Sequence, residues 1–182
     1  YFVYRDGQYI DVSGESFRDF LKGKLGALLG KKATLKDWED HMTTAFPEVR
    51  LKRFLEMRGA DGGPWANLCA LPAFWVGLLY DNQALADVEN YVADWSFDEL
   101  SKLRNEVPKT ALKTRFRNIS VQDIALDILE ISRAGLHRRA KVDNAGNDET
   151  SFLDPLFQIA ESGNSPADNL LAAFDGPWDG SI

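Results

Sequence analysis

The chain is poor in sulfur and in histidine: among 182 residues there are one cysteine, two methionines and two histidines. A lone Cys69 excludes an internal disulfide and a multi-cysteine metal site, and it reads as the mark of a reducing compartment. Two histidines far apart, His41 and His137, do not make a histidine metal centre. Positive charge is also scarce, with 21 Lys+Arg against 28 Asp+Glu and a net charge of -7. Binding to a phosphate backbone relies on the opposite balance, so no nucleic acid partner is expected. Long apolar runs are missing too. The longest, Leu68 to Tyr80, is about a dozen residues and contains Pro72, whereas a membrane-spanning helix needs about 20. The opening Tyr1-Phe2-Val3-Tyr4-Arg5 shows no basic region ahead of an apolar one, so no signal peptide and no membrane partner are expected, and the location is read as cytoplasmic. The chain also opens without Met and directly in strand-like sequence, as a piece of something larger would.

What is present fits a domain with a real core: 45% of the residues are hydrophobic and 27% charged, with eleven Phe and five Trp, and aromatic side chains bury large areas. Phe2-Val3-Tyr4-Arg5 and Gln8-Tyr9-Ile10-Asp11-Val12 flank Asp6-Gly7, the pair that a type I′ hairpin turn favours. Helix starts then follow one device, a Ser or Thr with an acid three residues later: Ser16 with Asp19, Thr34 with Asp37, Ser96 with Glu99, Ser120 with Asp123, and Ser165 with Asp168. Gly30, Pro47, Pro108, Gly163 and Gly176 mark stops. Val121, Ile124, Ile128, Leu129 and Leu136 recur at helical spacing, so a helix is expected from Ser120 to about Arg139. Its basic end, His137-Arg138-Arg139, suits the negative pole of the helix dipole. Lys141 to Thr150 reads as an exposed loop. No repeat or composition shift divides the chain, so residues 1–182 are read as one unit without an internal boundary.

The segment Val49 to Arg58 departs from the helical trend. Its residues alternate with a period of two, which predicts a strand with Val49, Leu51, Leu55 and Met57 on one face and Arg50, Lys52, Phe54, Glu56 and Arg58 on the other. Glu56 and Arg58 then share a face about 6 to 7 Å apart along the chain. A carboxylate offers oxygen to Mg²⁺ and a guanidinium can hold a phosphoryl group through paired hydrogen bonds; a solvated sheet face would have the same composition. Asp61 lies in the glycine-rich Gly59-Ala60-Asp61-Gly62-Gly63-Pro64, which matches neither phosphate-loop nor dinucleotide fingerprint. His41 reads as a hydrogen-bonded structural histidine and Cys69 as a small buried residue. The run Lys109 to Arg117 reads either as a holder of phosphates or carboxylates or as a solvated linker.

Taken together, Trp38-Glu39-Asp40-His41, the run from Phe46 to Trp65, Leu68 to Asp81, Leu112-Lys113-Thr114, Phe116-Arg117 and Ser165 to Leu171 resemble the plant-type glutamate-cysteine ligases, a family also found in many bacteria. The resemblance covers nearly the whole chain and implies the C-terminal portion of a single, longer catalytic domain. It implies an α+β fold, mostly helical here, with a few strands of a mainly antiparallel, glutamine synthetase-like sheet. It further implies joining of the L-glutamate γ-carboxyl to the L-cysteine amine with ATP and Mg²⁺, through γ-glutamyl phosphate, as the first step of glutathione synthesis. Carried over residue by residue, Glu56 becomes a metal ligand, Arg58 the contact to the transferring phosphoryl group, and Lys113 and Arg117 aids to substrate or nucleotide binding. The missing N-terminal part of the same enzyme is the implied partner. There are departures: Ala66 and Asn67 stand where the family usually has two arginines, Arg115 where a proline is usual, and Val12 where plant members carry a cysteine. Cys69 matches a cysteine that in plants pairs with one upstream. The lost arginines leave a second reading open, a non-catalytic structural or assembly module derived from the ligase fold.

Overall fold

The computed structural model describes residues 1–181, and the chain packs into two compact units, Tyr1–Ala60 and the residues from Asp61 onward. The expected mostly helical α+β class is observed, and the strands among the described residues form three separate two-stranded antiparallel sheets.

In the first unit, β1 (Phe2–Arg5) and β2 (Gln8–Asp11) pair antiparallel with Arg5 opposite Gln8. Asp6 and Gly7 both take positive φ, 50° and 82°, as the expected type I′ turn requires. Val3 and Val12 turn inward with Phe17, Phe20 and Leu25 to form this unit's core. Phe17 and Phe20 come from α1 (Phe17–Leu21). α2 (Leu35–Met42) opens with the full Thr34–Asp37 capping box. Asp37 does more than cap: its two carboxylate oxygens accept from both Arg5 terminal nitrogens at 2.6 Å, while its side chain is 3% exposed. The pair ties the first hairpin to α2 across 32 residues, a fork-to-fork geometry that fixes direction as well as charge.

The predicted strand Val49–Arg58 is instead a hairpin. β3 (Val49–Leu51) and β4 (Leu55–Met57) pair antiparallel, with Lys52, Arg53 and Phe54 reversing the chain. No Gly, Pro, Asn or Asp marks that reversal, so its turn chemistry is silent in the sequence. For the paired strand residues the face assignment nevertheless survives, while Lys52 and Phe54 fall in the turn. Partners in this register have equal parity, Arg50 opposite Glu56 and Leu51 opposite Leu55, so odd residues stay with odd and even with even across the turn.

The second unit is built on α3 (Trp65–Leu79) and α6 (Val121–Arg139). Around their contact, Ala73, Leu129, Leu136, Leu153, Phe157 and Ala160 make the core, the last two from α7 (Asp154–Ser162). α4 (Asn82–Val92) packs on both of these helices. α5 (Phe97–Thr110), the two-residue strands β5 (Arg115–Phe116) and β6 (Ile119–Ser120), and α8 (Pro166–Asp175) complete the unit. No helix among the described residues is long and apolar enough to cross a membrane.

The helix starts follow the sequence closely. Full capping boxes form at Thr34, Ser96, Ser120 and Ser165. Ser16 caps through the Arg18 amide instead of a box, because α1 is a single turn with little helix to complete. Pro108 does not stop α5, which runs to Thr110 and ends where Ala111 takes φ 46°. A proline in the last turn costs only one helical bond, so the chain can carry it that far. The basic end of α6 does more than face the dipole: Arg138 grips Asp81 at 2.7 Å and Arg139 grips Glu149 at 3.1 Å.

Gly77 and Gly135 set the α3–α6 distance. A Cβ on Gly135 would lie 2.0 Å from the Gly77 carbonyl oxygen, and one on Gly77 would lie 2.3 Å from Ser132 Oγ. Ser132, fully buried, donates its hydroxyl to the Phe74 carbonyl at 2.9 Å. Gly77→Ala or Gly135→Ala is therefore expected to destabilise the second unit by about 3 kcal/mol. Gly62→Ala, where a Cβ meets nothing within 4 Å, should be neutral; thermal or urea unfolding of the three variants checks this.

A second expectation concerns Asp37, whose carboxyl is held down at about 2, chiefly by the Arg5 hydrogen bonds against the opposing effect of burial. The native state thus favours the carboxylate, so this contribution is complete above the unfolded value near 4 and is lost as pH falls from about 4 through about 2. Asp37→Asn should cost about 2 kcal/mol at neutral pH and remove that part of the acid dependence, as pH-resolved unfolding would show.

Candidate functional site

The β3–β4 hairpin turns its polar face into one charged cluster. Glu56 Oε2 accepts from Arg50 Nε at 2.7 Å across the strands. Lys52 Nζ lies 3.9 Å from Glu56 Oε1, and Arg58 Nε lies 3.9 Å from Oε2. One carboxylate thus sits within 4 Å of three cations. The Arg50 hydrogen bond, then the nearby positive charges of Arg50, Lys52 and Arg58, hold the Glu56 carboxyl below its usual range, while partial burial works the other way. It is a carboxylate at neutral pH and an acceptor only.

Arg58 is fixed from three sides. Its backbone N–H donates to the Glu48 carbonyl at 2.8 Å, extending the ladder beyond β4, and its guanidinium lies 5.7 Å over the Phe46 ring. Its Nη1 is buried without a hydrogen-bond partner. A buried guanidinium nitrogen with no acceptor is costly unless something supplies one, and a phosphoryl or carboxylate oxygen is the natural acceptor for that group.

The opposite face carries the apolar residues the alternation assigned to it, but three of them are exposed: Val49 48%, Leu51 79% and Leu55 57%. A two-stranded hairpin by itself is marginal in water, so this one presents both a charged face and an uncovered apolar one.

The structure brings Glu56 and Arg58 together, as the sequence suggests, and adds Arg50 and Lys52 as direct neighbours of Glu56. Lys113 and Arg117 belong to the second unit. Arg117, at φ 53°, is held by Glu99 at 2.7 Å and by the Asp94 carboxylate and carbonyl, both at 2.8 Å. These bonds hold Glu99 well below the carboxylate range and raise the Arg117 guanidinium further. The clamp ties the β5–β6 turn to the start of α5, beside the Trp95–Phe116 ring contact at 4.6 Å. Lys113 is exposed and its charge acts on Asp168 at the start of α8. Asp61 accepts from the Gly62 amide at 2.7 Å, a local turn contact.

His41 differs from the reading as a hydrogen-bonded histidine. Its ring stacks on Phe17 at 4.4 Å and 14°, meets Tyr1 edge-on, and its buried Nδ1 has no hydrogen-bond partner. Aromatic packing, which spacing does not display, holds it. Cys69 is a partly buried free thiol in α3.

A magnesium ion at Glu56 can be tested against this geometry. Oε2 is taken by Arg50 and Oε1 has only the longer Lys52 contact, so one carboxylate oxygen is open to a hard cation. Among the described residues no group of three or more His, Cys, Asp or Glu could hold a metal. Glu56 therefore fits as one ligand of a set completed from elsewhere, and Arg50, Lys52 and Arg58 suit anions arriving with the cation.

Comparison with known proteins bears on the same chain. The family model described as Glutamate-cysteine ligase family 2 (GCS2) matches residues 1–182. The chain is 51% identical over 182 residues to the chloroplastic glutamate-cysteine ligase of Brassica juncea, all of this chain and 34% of that protein. It is 52% identical to the chloroplastic glutamate-cysteine ligase A of Oryza sativa subsp. indica, covering 36% of it, and 50% identical to the chloroplastic enzyme of Arabidopsis thaliana, covering 34%. In each case the whole of this chain is matched, so it spans about a third of the length of these curated relatives. Their chloroplastic naming overturns the expected cytoplasmic location. Organelle address is read by receptors from a targeting segment, and neither a lone cysteine nor domain composition encodes it.

The Arg117 clamp has its own test: Arg117→Ala should speed backbone hydrogen exchange across Thr114–Ile119 while leaving α6 protected, as exchange mass spectrometry would show.

Proposed function

The chain belongs to glutamate-cysteine ligase family 2, and from that membership we propose that it is a segment of an enzyme joining the γ-carboxyl of L-glutamate to the amine of L-cysteine with ATP and Mg²⁺, the first step of glutathione synthesis. The relatives named as glutamate-cysteine ligases, about 50% identical over this entire chain, support that reaction, and their names support a plastid location. Both units are read as C-terminal portions of one catalytic domain with a glutamine synthetase-like sheet, whose upstream part is the partner of this segment. The exposed apolar face of the β3–β4 hairpin agrees with a further layer of the rest of the polypeptide packing onto it.

The observation that carries the site assignment is the Glu56–Arg58 pair on one face of the hairpin, with Arg58 Nη1 buried and unpartnered. An amine cannot expel hydroxide from a carboxylate, so the glutamate oxygen must first become a leaving group, which phosphorylation by ATP to γ-glutamyl phosphate achieves. Glu56 would hold the Mg²⁺ through its open Oε1, and a bound Mg²⁺ would supply charge neutralisation at the phosphate oxygens. Arg58, preset by Phe46, the Glu48 carbonyl and Glu56, donates to the phosphoryl oxygens as charge spreads over them. Lys113 and Arg117 are assigned to the neighbourhood of substrate or nucleotide. For Arg117 the geometry supports an indirect role, shaping the β5–β6 turn through Glu99 and Asp94.

The second reading, a non-catalytic module, rests on Ala66 and Asn67 in the first turn of α3, where the resembling family carries arginines. One experiment separates the two. In the full-length protein, cysteine-dependent phosphate release from ATP is expected, and Glu56→Gln should lower it at least about 100-fold at saturating Mg²⁺. Near-normal turnover in that variant would remove Glu56 as a ligand, and no turnover in the unmodified protein would leave the non-catalytic reading.

A further inference from the structure

The assigned pair leaves Arg50 without a role, although it makes the shortest contact to Glu56. Arg50 donates through Nε alone, at 2.7 Å, and its terminal nitrogens donate to no group among the described residues. The cross-strand register places its side chain beside Glu56 whenever the hairpin is formed, so this is a fixed neighbour and not a chance surface contact.

We propose that Arg50 is a specificity-determining positioning residue that makes the Glu56 site accept a divalent cation together with a polyphosphate and reject the cation alone. The inference rests on the assignment of Glu56 as a metal ligand. The cluster sets three positive charges against one negative within 4 Å. A bare divalent cation approaching Oε1 meets Arg50, Lys52 and Arg58 with only one carboxylate to offset them, and like charges at such separations repel by more than thermal energy in a half-exposed site. A cation bound to a triphosphate carries net negative charge and reverses the sign of that encounter. Arg50 can serve it without leaving Glu56: Nε keeps the carboxylate oriented with Oε1 outward, and the fork of terminal N–H groups is available to phosphate oxygens. Selection against the wrong form thus comes from a repulsive element built beside the ligand.

The test uses the full-length protein with two probes, Mn²⁺ alone and Mn²⁺ with a non-hydrolysable ATP analogue, followed by electron paramagnetic resonance and calorimetry. Arg50→Gln should bind Mn²⁺ alone about tenfold more tightly and the Mn²⁺–nucleotide complex about tenfold less tightly, a shift of opposite sign in the two assays. Arg50→Lys keeps the charge and should stay near the wild type for Mn²⁺ alone. A merely structural role would weaken both probes together, and that result, or no change in either, overturns the inference. If Glu56→Gln leaves affinity for the Mn²⁺–nucleotide complex unchanged, the metal assignment fails and this inference with it. If Glu56→Gln weakens binding of the Mn²⁺–nucleotide complex while Arg50→Gln has no effect on either probe, only the role of Arg50 is lost.

Discussion

The near-contact of α3 with α6 at Gly77 and Gly135 governs the second unit. With a Cβ at either position placed within 2.3 Å of the opposing helix, the two backbones can meet only because neither residue has a side chain there. The buried Ser132 hydroxyl then satisfies a carbonyl of the facing helix, which removes the cost of bringing polar backbone so close. From this crossing the remaining parts take their places. The N-terminal end of α6 carries the Ser120 capping box and the β5–β6 turn, and its C-terminal end reaches Asp81 and Glu149 through Arg138 and Arg139. The turn that carries Arg117 thus leads directly into this helix, while Glu99 and Asp94 hold the Arg117 side chain.

In the first unit the same work is done by Arg–carboxylate pairs. Arg5 and Asp37 join a hairpin to a helix, with Asp37 almost wholly buried; Arg50 and Glu56 join two strands of a hairpin that has little else to hold it. The two pairs differ in what surrounds them. Asp37 also closes a capping box, so its oxygens are used up within the fold. Glu56 keeps one oxygen with only a long contact, and its neighbour Arg58 keeps a buried nitrogen without an acceptor. The first pair is complete as a structural tie. The second leaves both a donor and an acceptor over, and that surplus is the reason a ligand site is proposed at the hairpin and not at the Arg5–Asp37 pair.

Features decided by neighbours in the chain were legible in the residues alone: the Asp6-Gly7 turn, four capping boxes, the long α6, and the common face of Glu56 and Arg58. Each follows from local geometry, in which an acid three residues past a Ser or Thr reaches the free amides, and residues two apart in a strand point the same way. The reversal at Lys52–Phe54, the glycine crossing, the aromatic seat of His41 and the clamping of Arg117 by Asp94 and Glu99 were not legible. Each depends on a partner far along the chain or on a turn without its usual residues. The sequence by itself therefore determined where helices begin, which residues of the Val49–Arg58 segment share a face, and the chemical types gathered there. Only the tertiary structure decided which charges meet, because an ion pair between strands or across 18 residues, as for Arg117 and Glu99, is set by packing and register, and neither leaves a periodic trace in the chain.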